Sequence, residues 1–271
     1  MITPNFSTIF PEPKPLIGMI HVQALPGTPK NRLSVKELAA QAVKEAKTLS
    51  TGGMQAIMLE NMHDVPYLNR EVGHEIVAAL SRIAAEVRAV TDRPLGLQIL
   101  AGANQAALAV AQSAELQFIR AEGFVFGHLA DEGFIQSDAG ELLRFRKNIG
   151  AEHIHIFTDI KKKHSSHAMT ADVSLPDTVE AAEFFLSDGV IITGPHTGKP
   201  VDQQELVDVY ASAKLPVLVG SGVNPEGLPL IFDQADAFIV GSYFKQAGKW
   251  QNEPDPQRLQ ALLQVRTDLL K

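Results

Sequence analysis

The chain has 271 residues, 45% hydrophobic and 20% charged, which suits a globular protein of one large or two small domains and excludes a disordered or fibrous one. A net charge of −7 leaves no global basic field for nucleic acid or an anionic membrane, so any anion must be bound locally. With no cysteine there is no disulfide, no cysteine-ligated zinc and no thiol nucleophile.

The opening MITPNFSTIFPEPKP lacks the basic start and apolar run of a signal peptide. No apolar run approaches the roughly 18 residues needed to span a bilayer, so a cytoplasmic protein is expected. Residues 1–13 carry three prolines and read as an arm ahead of one domain over 14–271. Short apolar runs predict strands at Leu16–Val22, Ala56–Glu60, Leu95–Leu100, Gln117–Arg120, Ile154–Asp159, Val190–Thr193, Val217–Val219 and Phe238–Val240. Amphipathic stretches predict helices at Val35–Leu49, Glu71–Val90, Gln105–Gln112, Ala139–Ile149, Thr178–Leu186, Gln203–Ala213, Glu226–Phe232 and Pro256–Leu270. Ser34 stands at capping-box spacing from Glu37, and Pro256 follows Asp255 at a favourable first-turn position. The strands are near-continuous in apolar character (AIML, VLV, FIV), as parallel strands buried on both faces are. Eight strand–helix units without a linker fit a closed (β/α)8 TIM barrel better than an open doubly wound sheet.

In such a barrel the chemistry sits where the strands end. His21 ends the first strand; Glu60 and Asn61 end the second, with Asp64 in the loop. Gln98 lies in the third, Arg120 and Glu122 end the fourth, and Asp159 ends the fifth ahead of KKKHSSH. The seventh breaks into Gly220, Ser221 and Gly222, and the eighth into Gly241 and Ser242. One such ending reads as a tight turn. Two on adjacent closing strands point to a phosphate site, because glycine lets an anion reach backbone N–H groups and serine adds a donor. The NPEG segment from Asn224 is expected to open the next helix and add its positive dipole end, with Thr197 and Gly198 as flanking donors.

Glu60, Asp64, Glu122 and Asp159 can supply acid–base groups or oxygen ligands for a divalent cation; singly, each reads as a partner for Arg120 or the lysine run. Lys161, Lys162, Lys163, His164 and His167 crowd the fifth loop. A desolvated lysine there can form a Schiff base or bind an anion, and a histidine can shuttle protons. At least two of the three lysines read as a solvated basic loop. His21 reads equally as a core histidine and as a catalytic one. There is no HExxH, nucleophile elbow or P-loop, and GSGVNPEG lacks the dinucleotide spacing, which leaves zinc protease, serine hydrolase, ATPase and classical NAD sites without support.

The segments KPLIGMIHVQALPGTP, ENMHDVPY, FIRAEGF, TDIKKKHSSH, ITGPHTG, VGSGVNPE and VGSYFK together resemble the BtpA family (the BtpA/SgcQ group) from about Lys14 to the C-terminal helix. The resemblance implies a barrel of the phosphate-binding type. It places His21, Glu60, Asn61, Asp64, Arg120, Asp159, Lys163 and His164 at family positions. The family's first named member is linked to photosystem I biogenesis, and others lie beside sugar-uptake and carbohydrate genes. Many members carry Asn-Asp after the third strand, where this chain has Gly102, Ala103 and Asn104. Many carry Val-Asn in the fourth strand's loop, where it has Ala121 and Glu122.

The chain then admits three readings. An enzyme would take a small phosphorylated metabolite, a sugar phosphate or nucleoside phosphate, and hold its phosphate at Gly220, Ser221, Gly222, Gly241, Ser242, Thr197 and Gly198. Glu60, Asp159, His164, Lys163, Arg120 and His21 would carry lyase, isomerase or glycosidic-bond-cleaving chemistry, with Asn61, Asp64, Gln98 and Glu122 touching the rest of the substrate. A non-catalytic assembly factor would act through an exposed patch instead. A metal-dependent hydrolase would hold a divalent cation at Glu60, Asp64 and Asp159. No nucleic-acid partner is expected, and base rates favour a homo-oligomer.

Overall fold

Alternation along each strand decides what faces the barrel axis and what faces the helices. In a computed structural model describing residues 5–194, 198 and 200–271, eight parallel strands close into a barrel in chain order. They are β1 (Leu16–His21), β2 (Ala56–Glu60), β3 (Leu95–Gln98), β4 (Phe118–Ala121), β5 (His155–Ile160), β6 (Gly189–Ile192), β7 (Val217–Val219) and β8 (Ala237–Val240). Closure is made by β8 pairing back onto β1, with Leu16 opposite Phe238. The expected TIM barrel is therefore the observed fold.

The apolar residues of the strands fall into two clusters. Ile17, Met19, Met58, Phe118, Phe157, Ile191, Leu218 and Ile239 form one inside the barrel. Leu16, Ile20, Ile57, Leu59, Ile119, Ile156, Val190 and Phe238 belong to the other, shared with the helices. Burial on both sides removes the polar alternation an exposed sheet would show. One step of two residues beyond the inner cluster reaches His21, Glu60, Arg120, Asp159, Gly220 and Gly241. The top inward layer is thus polar or bare, and it sits at the C-terminal rim.

The helices are α1 (Val35–Gly52), α2 (His74–Arg88), α3 (Asn104–Ser113), α4 (Ala139–Asn148), α5 (Leu175–Phe184), α6 (Gln203–Ser212), α7 (Leu228–Ile231) and α8 (Pro256–Leu269). Ser34 and Glu37 form the reciprocal capping box on α1, and Asp255 caps α8. Helix α5 begins earlier than expected because Ser174 and Asp177 make a second capping box. Helix α7 is shorter than expected, a single turn. Asn224 Oδ1 accepts the Gly227 N–H at 2.7 Å and holds NPEG as a turn, so no helix N-terminus stands where one was expected.

Residues ahead of β1 close the opposite end of the barrel. A one-turn helix, Phe6–Ile9, leads to buried Ile9 and Phe10, and the Phe10 ring lies 5.5 Å from that of Phe118. Three short antiparallel strands, His128–Ala130, Gly133–Ile135 and Ser165–Ser166, build a small sheet from the loops after β4 and β5. Runs of two or three residues carry no readable period, which is why the sequence did not announce them. Among the described residues no helix is long and apolar enough to cross a membrane.

Candidate functional site

Parallel register sets His21 beside Glu60, and Glu60 beside Gln98, at the ends of β1, β2 and β3. With Arg120 from β4 they line a cavity of about 890 Å³ at the C-terminal mouth. His21 Nδ1 lies 3.0 Å from the Trp250 carbonyl oxygen, and its Nε2 lies 3.5 Å from Glu60 Oε2. A carbonyl only accepts, so Nδ1 carries the hydrogen and Nε2 turns its lone pair to Glu60. Burial first, then the Lys245 ammonium, holds His21 well below its ordinary 6.5. Burial raises Glu60, and Arg120 and Lys163 pull it only partly back. Burial thus disfavours the charged form of both partners, the direction of shift that suits a general acid.

Arg120 is held by a fork. Its Nε and Nη2 donate to the two oxygens of Asp159 at 2.8 and 2.7 Å, both side chains buried. Asp159 does not line the cavity; its oxygens are engaged by the guanidinium, which makes it a positioning residue for Arg120. Gly220 leaves the room: a Cβ there would sit 2.7 Å from Ile191 Cγ2 and 3.5 Å from Arg120 Nη2. Gly241 does the same for His21, whose Cε1 would be 3.4 Å from an added Cβ. Two of the glycines singled out for phosphate therefore also serve side chains.

Asn61 and Asp64, expected to touch substrate, do not line the cavity but brace its loops. Asn61 Nδ2 donates to Asp64 Oδ2 at 2.8 Å, while Asn61 Oδ1 accepts the Leu100 N–H and Asp64 Oδ1 the Leu25 N–H. Gln98 and Glu122 do line it, joined by a 3.0 Å hydrogen bond. Asn104, one of the positions that departs from the family pattern, grips the Glu122 backbone at both its N–H and its carbonyl.

The lysine run is not a solvated loop. Lys161 Nζ donates to the Val173 carbonyl, and buried Lys162 lies 3.3 Å from Glu122 Oε2 and 3.8 Å from Glu132 Oε2. Lys163 is half-buried and lines the cavity, as does exposed His164. Folding the excursion strands over the rim gives each lysine an interior environment that a linear reading assigns to water. Glu132 from that sheet and Trp250, the chain's one tryptophan, also line the cavity and were missed. A tryptophan soon after the eighth strand was a usable signal; Glu132 gave none.

Gly220, Ser221, Gly222, Gly241, Ser242 and Gly198 all line the same cavity, and Thr197 lies outside the described residues. Ser221 Oγ accepts the Gly194 N–H at 2.6 Å, tying the ends of β6 and β7 together. The backbone N–H groups of Gly222, Val223, Ser242 and Tyr243 donate to no described residue. Gly222 has φ +70°, a conformation that favours glycine. Nearby, the Arg258 guanidinium stacks 4.4 Å from the Tyr243 ring centre and donates to the Tyr243 carbonyl. The loops after β7 and β8 thus bring to the cavity amides that donate to no described residue, beside the Arg258 guanidinium.

The BtpA family model matches residues 12–267. The chain belongs to the BtpA family. Within the family's reach, a Caenorhabditis elegans protein described as uncharacterized and mitochondrial is 46% identical over 256 residues, 91% of each chain. The photosystem I biogenesis protein BtpA of Synechocystis is 29% identical, covering 95% of this chain and 89% of its own. Solved structures extend the likeness of fold. Thiamine phosphate pyrophosphorylase from Pyrococcus furiosus superposes with a TM-score of 0.58 at 13% identity, covering 95% of this chain and 97% of that one. Orotidine 5′-phosphate decarboxylase from Pyrococcus horikoshii does so with 0.57 at 13% identity, covering 92% and 98%.

Proposed function

We propose that this BtpA-family barrel is an enzyme acting on a small phosphorylated metabolite, a sugar phosphate or nucleoside phosphate, by acid–base chemistry of the lyase, isomerase or glycosidic-bond-cleaving kind. One observation carries the reading: backbone amides after β7 and β8 that donate to no described residue share a cavity with the Glu60–His21 pair and a fixed Arg120. The phosphate would sit on Gly222, Val223, Ser242 and Tyr243. Glu60 would give and take the proton, with His21 Nε2 as its acceptor. Arg120 would stabilise negative charge developing on the substrate, in a site sheltered from water. The phosphorylated compounds in the names of the solved barrels of the same fold support this class of ligand.

The hydrolase alternative fits the residues less well. Among the described residues no three His, Asp or Glu side chains converge as metal ligands, and Asp64 and Asp159 are bonded elsewhere. A thermal-shift screen of phosphorylated metabolites tests the enzyme reading. Binders should be lost in Gly222→Asp, which puts a carboxylate in the proposed phosphate site, and kept without turnover in Glu60→Gln. Binding that survives Gly222→Asp in a folded variant would end it.

A further inference from the structure

Of the three consecutive lysines after β5, two are engaged inside the protein: Lys161 by the Val173 carbonyl, Lys162 by Glu122 and Glu132. Lys163 differs. It is half-buried, lines the mouth cavity together with Glu60 and Arg120, and its ammonium makes no hydrogen bond or ion pair with any described residue, only its carbonyl accepting from Ser165 Oγ. An ammonium drawn out of water ordinarily gains a carboxylate in contact. Here the strongest charge it feels is another cation, Arg120, ahead of Glu60.

The geometry points to Lys163 as an amine nucleophile that forms a Schiff base with its substrate, which makes that substrate a phosphorylated aldehyde or ketone. This rests on reading the cavity as a phosphate-ester site. A site wanting only fixed positive charge already has it in Arg120, which stays charged throughout the working pH range. Burial, followed by the Arg120 guanidinium, pushes the Lys163 amine below the ordinary lysine range, the arrangement that releases a free amine for attack.

The step balances with groups already at the mouth. The Lys163 lone pair forms the C–N bond, the carbonyl π pair moves to oxygen, and that oxygen takes the proton of the Glu60 carboxyl. The nitrogen returns a proton to Glu60. The carbinolamine hydroxyl is then protonated from Glu60 and leaves as water while the nitrogen lone pair completes C=N. One carbonyl, one amine and one proton give one iminium and one water. The iminium then draws electrons from a neighbouring C–H or C–C bond.

Trapping tests it on the full chain. Sodium cyanoborohydride is added with dihydroxyacetone phosphate, glyceraldehyde 3-phosphate or ribose 5-phosphate, followed by intact mass and peptide mapping. The expected result is one adduct on the Lys163 peptide, suppressed by excess inorganic phosphate and reduced to background in Lys163→Arg, which still binds inorganic phosphate. Lys163→Arg trapped as fully as the wild type, or no adduct from a protein that binds inorganic phosphate, overturns the proposal. A wild type that does not bind inorganic phosphate sinks the phosphate-site reading instead. Unphosphorylated glyceraldehyde trapped on Lys163 would then still support the amine role, and its absence would end that role too.

Discussion

Glu60 Oε2 faces His21 Nε2 at 3.5 Å, and the other ring nitrogen of His21 is held by the Trp250 carbonyl at 3.0 Å. The two partners shift in opposite directions, both first by burial, and each shift disfavours the charged form.

The pH dependence of stability follows from those directions. Glu60 is raised in the fold, so its stabilising contribution is full below its ordinary 4.5 and is lost as pH rises through the raised value. Glu60→Gln stays neutral throughout. From about pH 5 to about pH 8 the urea midpoint of the wild type should fall relative to that of Glu60→Gln. A gap independent of pH would show that Glu60 does not titrate within that window.

His21 works in the other direction. Its folded value is depressed, so its contribution is present above 6.5 and is lost as pH falls through the window below that. His21→Gln should flatten the loss of wild-type stability between about pH 6.5 and about pH 5, measured by the same denaturation series. An unchanged slope would mean that His21 does not resist protonation.

The Arg120–Asp159 pair is buried on both sides, so removing one partner strands the other. Asp159→Ala should cost about 3–5 kcal/mol in urea unfolding, and Asp159→Asn, which keeps one acceptor, should cost less. Equal small losses from both would mean that the guanidinium finds water.

Two glycines at the mouth should respond differently to one added methyl. Gly220→Ala brings a Cβ to 2.7 Å from Ile191 Cγ2 and should cost about 1–3 kcal/mol. Gly241→Ala meets its first neighbour, His21 Cε1, at 3.4 Å and should leave stability within about 0.5 kcal/mol while crowding the cavity. Calorimetric unfolding of both variants decides.

Arg70 spans three loops at once, donating to the carbonyls of Gly102 and Gly123 at 3.0 and 2.8 Å and to Asp138 Oδ2 at 2.6 Å. Arg70→Ala should speed amide hydrogen exchange in the loops after β3 and β4 while leaving the β7 and β8 loops unchanged. Exchange accelerated evenly over the whole rim would mean general loosening and no local clamp.

Much of the architecture is written in local pattern. Apolar runs such as AIML and VLV read as strands buried on two sides, and eight of them without a linker favoured the closed barrel that the structure shows. The same runs announced which residues stand at the rim, because a two-residue step past Met19, Met58, Phe118 and Leu218 lands on His21, Glu60, Arg120 and Gly220. Partner choice was not legible. Tertiary structure alone turned Asn61 and Asp64 into a loop brace, bound Asp159 to Arg120, buried Lys162 between Glu122 and Glu132, and brought Trp250 across 229 positions to fix the ring of His21. Burial and periodicity are summed over neighbours in the chain, whereas a hydrogen bond or an ion pair is decided within a few ångströms by residues the chain order keeps far apart.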